Sequence, residues 1–157
     1  TRVIDKKTGQ NNTFKFIICN GGMELNLRPL LYGSRHPFTL VSREGDLLYS
    51  DFHAFKTETR PETDCIITGR CCETGDSQTI DRLGRPQTKR MTEPTPGDLL
   101  VIGGTGAYCS SMSLANYNSY LQPREVLVWK DGSLQTIRAP QTLEQMVENE
   151  RSLSITG

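Results

Sequence analysis

Residues 69–76 read GRCCETGD, placing two adjacent thiols directly before one carboxylate, with a second carboxylate three residues beyond the first. Such residues can form a disulfide, ligate a metal, supply a nucleophile or line a pocket completed elsewhere. Zinc sites usually pair their ligands as C-x-x-C, often with histidines at short spacing. Here Cys71 and Cys72 are neighbours, and His36 and His53 lie far away, which argues against a metal. A disulfide between adjacent cysteines is strained and short-lived in a reducing compartment. A catalytic thiolate needs cations or a helix N-terminus beside it, whereas Glu73 adjoins Cys72 and Arg70 is the one nearby cation in sequence. On local chemistry alone, the pair reads as small hydrophobes beside a surface carboxylate.

Two other stretches carry chemistry. In VIGGTGAYCSSM (101–112), Gly103, Gly104 and Gly106 offer backbone amides that can cradle an anion, with Tyr108 presenting its hydroxyl to a ligand. The stretch has no P-loop lysine and does not fit G-x-G-x-x-G. A glycine turn with a core tyrosine fits these residues equally well. In RPLLY (28–32), Arg28 is either a bidentate carboxylate clamp or one half of a structural ion pair. The residues leave both pairs of alternatives open.

The elements that must position these groups are mainly strands. FKFIIC (14–19), CIIT (65–68), DLLVIG (98–103) and REVLVW (124–129) are short, β-rich apolar runs bounded by turn formers. Glu44-Gly45-Asp46 divides FTLVS from LLYS, and Lys130-Asp131-Gly132-Ser133 predicts a hairpin of type I′ between REVLVW and LQTIRA. The stretch from 85 to 97 reads as an exposed polar excursion. Proline at the first helical position predicts one helical turn over 28–32, with Arg28 at its entry and Tyr32 facing the same space. Thr142 and Gln145 have capping-box spacing, predicting a short helix over 143–151. The fold class expected is mainly β, a barrel or sandwich with a few short helices.

Composition bounds the function. The 157 residues suit one domain, and 18 basic residues balance 18 acidic ones, so nothing suggests a nucleic-acid surface or a polybasic membrane anchor. No apolar run approaches the roughly 20 residues needed to span a bilayer. Five scattered cysteines favour a reducing cytoplasm. The opening TRVIDKKTGQ has neither an initiator methionine nor an apolar signal region, so residues 1–157 are expected to be a single domain cut from a longer chain.

Taken in order, GGMELNLRPLLYGSRHP, GRCCETGDSQTIDR and GDLLVIGGTGAYCSSMSLANYNSYLQPREVLV resemble the C-terminal β-domain of the diaminopimelate decarboxylases. These are pyridoxal 5'-phosphate enzymes with an alanine-racemase-like architecture, and the resemblance runs over nearly the whole chain. It implies a missing N-terminal (β/α)8 barrel that carries the Schiff-base lysine. It also implies a head-to-tail homodimer whose active sites lie between one barrel and the partner's β-domain.

The family's R-P-x-L-Y element falls on Arg28, Pro29, Leu31 and Tyr32, implying that Arg28 binds a substrate carboxylate with Tyr32 beside it. Its C-E-S-x-D element falls on Cys72, Glu73, Thr74 and Asp76, implying that Cys72 and Glu73 reach into the partner subunit's catalytic site. Its G-A-Y element falls on Gly106, Ala107 and Tyr108, implying a tyrosine contact to cofactor or substrate. Glutamate at 73, where ornithine and lysine decarboxylases of this architecture typically carry aspartate, favours diaminopimelate. The chain departs from the family pattern at Arg70-Cys71, where Gly-Pro is common, and at Gly103-Gly104-Thr105, where an acidic Asp-Ala is usual.

The resemblance thus implies conversion of meso-2,6-diaminopimelate to L-lysine and CO2 in the full protein, with no activity from this chain alone. The alternatives weighed from sequence are another basic amino-acid decarboxylase and a non-catalytic β-barrel interaction module.

Overall fold

Alternation of inward apolar and outward polar side chains builds two four-stranded sheets around one core. A computed structural model describes residues 1–152. These residues fall into two compact units, the first spanning Thr1–Leu114 and the second beginning at Ala115.

In the first unit, β1 (Val3–Thr8), β2 (Lys15–Cys19), β6 (Glu62–Thr68) and β7 (Lys89–Thr92) form one sheet in the order β1-β2-β6-β7. The other sheet, ordered β5-β4-β3-β8, contains β3 (Phe38–Val41), β4 (Leu47–Ser50), β5 (Phe55–Lys56) and β8 (Leu99–Ile102). Every pairing is antiparallel except β2 with β6, which run parallel with Ile17 opposite Ile67 and Ile18 opposite Thr68. Ile17, Cys19, Phe38, Leu40, Leu48, Cys65, Ile67, Met91 and Leu100 make the shared core.

The architecture is an open sandwich with stitched edges. Arg2 bridges Leu99 ahead of β1, and the Leu100 N–H donates to the Thr1 carbonyl at 2.8 Å. At the other side, the Thr92 hydroxyl donates to the Leu48 carbonyl at 3.0 Å. The expected mainly β fold and the strands anticipated at β2, β6 and β8 are present, as is the turn between β3 and β4.

The polar excursion expected over 85–97 is only half right. Residues 82–88 are exposed, but β7 follows, with Met91 and Thr92 fully buried and Pro94 behind them. Just two residues of β7 turn inward and one is threonine, so no apolar run marks the strand.

In the second unit, β9 (Glu125–Val128) pairs antiparallel with β10 (Leu134–Arg138). The hairpin is as anticipated, but its turn is not type I′, which needs positive φ at both central residues. Gly132 has φ 85°, whereas Asp131 is not left-handed. Instead the Gly132 N–H closes on the Trp129 carbonyl at 2.9 Å, and the Asp131 carboxylate accepts from the Ser133 N–H at 2.9 Å. The helix α1 (Arg28–Tyr32) forms where expected in the first unit, and α2 (Leu143–Val147) in the second. The α2 capping box is complete, but the helix stops four residues short of the expected end. Glu148 and Glu150 place negative charge at the negative end of the helix dipole.

Among the described residues, no helix is long and apolar enough to cross a membrane.

Candidate functional site

Two constellations lie in the first unit. The first is built on α1. Proline at position 29 lacks the N–H that a helix start would leave unpaired, and Gly33 ends the turn with φ 63° and an N–H to the Pro29 carbonyl at 2.8 Å. One turn of helix therefore sets Arg28 beneath Tyr32, with the guanidinium carbon 5.3 Å from the ring centroid. The loop after β8 brings a second ring to the same group, Tyr108, at 5.5 Å.

Tyr108 adopts φ 67°, a left-handed conformation that costs a residue with a Cβ about 1–3 kcal/mol. Its carbonyl accepts from the Met112 N–H at 2.9 Å, which helps to hold the turn. Tyr32 is 57% and Tyr108 63% exposed, so the alternative of a glycine turn with a core tyrosine does not hold. Arg28 is half-buried and forms no ion pair among the described residues, which removes the structural ion-pair reading. The anion cradle of the glycine loop is not formed at Gly103. Its N–H donates to the Pro37 carbonyl at 2.8 Å, and a Cβ there would strike the Phe52 ring.

The second constellation is GRCCETGD itself, which leaves β6 beside the segment leaving β2. Its hub is Asp76, 3% exposed. One carboxylate oxygen accepts from the Met23 N–H and the other from the Cys71 N–H, each at 2.8 Å. Gly22 and Gly69 approach so closely that a Cβ on either would overlap this carboxylate. Burial raises the Asp76 pKa, opposed by these two N–H groups, and neighbouring Glu24 raises it further.

Glu24 is buried as well. It accepts from the Gly22 N–H at 2.8 Å, lies 3.4 Å from the Arg70 Nε, and takes the Cys71 thiol at 3.7 Å. Burial, then Glu24 and Asp76, push the Cys71 thiol up to about 12. Cys71 is therefore a protonated structural donor, a role that sequence reasoning could not assign.

Glu24, Cys71 and Asp76 bring metal-ligating atoms within 4.8 Å of one another. Both Asp76 oxygens and one Glu24 oxygen accept from backbone amides, and the other Glu24 oxygen faces the Arg70 guanidinium, the pattern of a structural knot. Sequence reasoning missed Glu24 altogether and gave Asp76 no role; only the run of glycines before Met23 hinted at close packing.

Cys72 and Glu73 stand exposed at the tip of this loop. The Gly75 N–H caps the Glu73 carboxylate at 3.2 Å, and Gly75 packs against Leu30 of α1. The structure thus brings Arg28, Tyr32 and Tyr108 together and sets the loop carrying Cys72 and Glu73 against the same helix.

Residues 1–106 match the model of the pyridoxal-dependent decarboxylase C-terminal sheet domain. The chain is 34% identical over 132 residues to diaminopimelate decarboxylase of Escherichia coli strain K12, covering 84% of this chain and 29% of that protein. A crystal structure of a diaminopimelate decarboxylase superposes with TM-score 0.81 at 32% identity, over 95% of this chain and 32% of that one. Diaminopimelate decarboxylase from Helicobacter pylori, solved in complex with L-lysine, gives TM-score 0.71 at 26% identity, over 95% of this chain and 30% of that one. The chain spans about a third of the length of these relatives. Its first 106 residues, which hold Arg28, Tyr32, Cys72 and Glu73, place it in the pyridoxal-dependent decarboxylase family, as the C-terminal sheet domain.

Proposed function

We propose that this chain supplies the substrate-recognition half of a diaminopimelate decarboxylase active site. The reaction converts meso-2,6-diaminopimelate to L-lysine and CO2 in the cytoplasm. The observation that carries the reading is Arg28, a half-buried guanidinium held by two tyrosine rings with no carboxylate partner among the described residues. A guanidinium so placed is preorganised for a bidentate carboxylate.

Diaminopimelate has an ammonium and a carboxylate at each end. Only one end loses its carboxylate; the far end keeps both groups and emerges as the α-amino acid end of lysine. Arg28 binds the far carboxylate, and Glu73 takes the far ammonium with Cys72 beside it. Tyr32 orients the guanidinium, while the exposed Tyr108 hydroxyl contacts substrate or cofactor. When bound, pyridoxal 5'-phosphate supplies the electron sink for the carbon that loses CO2. The donor set fits a role facing that group: an exposed phenol and a fixed cation beside it. The Schiff-base lysine belongs to an N-terminal barrel, and Cys72 and Glu73 serve the site of a second subunit in a homodimer.

The far-end contacts also explain why lysine should be a poor substrate. Bound by its α-amino acid end, lysine offers Arg28 no carboxylate. The test is Arg28→Gln in the full-length enzyme. It should lower kcat/KM for diaminopimelate by roughly ten- to a hundredfold, the worth of one charge-assisted interaction, and erode the preference over lysine. Unchanged selectivity would remove Arg28 from substrate recognition. Equal turnover of ornithine or lysine by the unmodified enzyme would favour another basic amino-acid decarboxylase.

A further inference from the structure

Beyond α1, the turn from Tyr32 to Phe38 and the segment 78–89 enclose a cavity of about 610 Å³. This is within the roughly 300–1,000 Å³ usual for small-molecule sites. Its lining is strongly cationic: Arg35, Arg82, Arg85 and Lys89 stand against the single carboxylate of Asp81. Two of these charges are committed, Arg85 to Asp81 at 2.9 Å and Lys89 to Asp51 at 2.8 Å. Arg35 and Arg82 form no ion pair among the described residues.

The wall also contains an unsatisfied group. His36 is buried, and its Nδ1 lies 2.9 Å from the Gly103 carbonyl. A carbonyl only accepts, so the proton sits on Nδ1. Nε2 is then left buried with no hydrogen-bond partner. That atom has almost no accessible surface, so His36 lines the cavity without offering a ligand a contact through Nε2. The backbone is rigid here: Gly33 packs so tightly on the Arg82 backbone that a Cβ would overlap it. The cationic rim is therefore tied to the end of α1.

We propose that this cavity binds a small multivalent anion of the phosphate or polycarboxylate class, with Arg35 and Arg82 as its charge-bearing contacts. Inorganic hydrogen phosphate and citrate are suitable probes, because each presents several anionic oxygens to the two guanidinium groups.

The experiment is calorimetric titration of the full-length protein with each probe, against chloride at matched ionic strength, repeated on the double variant Arg35→Gln/Arg82→Gln. Both arginines are exposed, so the variant should melt at the unmodified temperature. Each lost guanidinium contact is worth about tenfold in affinity or more, so the double variant should bind about a hundredfold more weakly. Binding of phosphate alone would assign the site to phosphate-bearing ligands, and binding of citrate alone to polycarboxylates. If neither probe binds better than chloride, or if the double variant binds as tightly as the unmodified protein, the proposal is wrong.

Discussion

Asp76 and Arg28 are both charged residues in segments that follow the parallel pair β2 and β6, yet their surroundings are opposite. Asp76 is enclosed, and both its oxygens are occupied by backbone N–H groups. Arg28 is held in place by two rings but has no carboxylate partner among the described residues. The contrast separates a charge that organises the backbone from one to which the proposed function assigns a ligand. Neither its type nor its neighbours in sequence reveal which is which. What matters is whether the hydrogen-bonding capacity is already used.

This contrast is most easily broken at the hub. Asp76→Ala leaves two buried N–H groups without acceptors and should cost about 3 kcal/mol or more in stability. Arg28→Gln should leave the melting temperature nearly unchanged. Equal losses in thermal melts of the full-length protein would erase the distinction.

The loop tip gives the next largest effect, in catalysis rather than stability. Glu73→Ala should reduce turnover of diaminopimelate by roughly ten- to a hundredfold, with Glu148→Ala near the unmodified rate. Mixing the Glu73 variant with one lacking the cofactor lysine should restore part of the activity if the glutamate acts across subunits. An absence of rescue would place Glu73 in its own subunit's site.

Adjacent cysteines sharpen the comparison at one-residue resolution. Cys71, with its thiol pushed up to about 12, should be alkylated at least about tenfold more slowly than exposed Cys72. Peptide mass spectrometry over a time course reads this directly, and equal rates would contradict the buried knot.

The smallest effect concerns acid stability. Burial pushes the Glu93 carboxyl up, but the ammonium groups of Lys15 and Lys6 outweigh it and hold the pKa below the usual value. Glu93 should therefore contribute about 1 kcal/mol above its unfolded pKa, near 4.3, lost as pH falls through the depressed folded value. Asp76 has the opposite sign. With its pKa raised, its ionisation linkage favours the fold below its unfolded value, near 3.9, and that benefit is lost as pH rises through the folded one. Glu93→Gln should flatten the acid limb of stability against pH. An unchanged limb would assign acid unfolding to other carboxylates.

Much of the scaffold was legible because periodicity and turn chemistry are local. FKFIIC, CIIT and DLLVIG became strands, Pro29 and Gly33 bounded a helical turn, and Thr142 with Gln145 capped another. The strand at Lys89–Thr92 was not legible, because its buried face is one methionine and one threonine. The meeting of Arg28 with Tyr32 followed from helical spacing, whereas Tyr108 was linked to them only through family resemblance. Glu24 and Asp76 escaped for a different reason. Their burial is decided by backbone amides at 22, 23 and 71, and polar residues satisfied from a distance leave no periodic trace.

The parallel pairing of β2 with β6 also bears on how the proposed recognition surface comes into being. Lys15 is opposite Cys65, so the partners are fifty positions apart, and everything from α1 to β5 lies within the loop they close. Loop-closure entropy must be overcome before such contacts become favourable. The Met23–Asp76 knot joins segments at the leaving ends of those two strands, so it should appear late during refolding. Ligand recognition should then lag behind the appearance of β-hairpin structure, making competence for substrate a sensor of completed folding rather than of collapse.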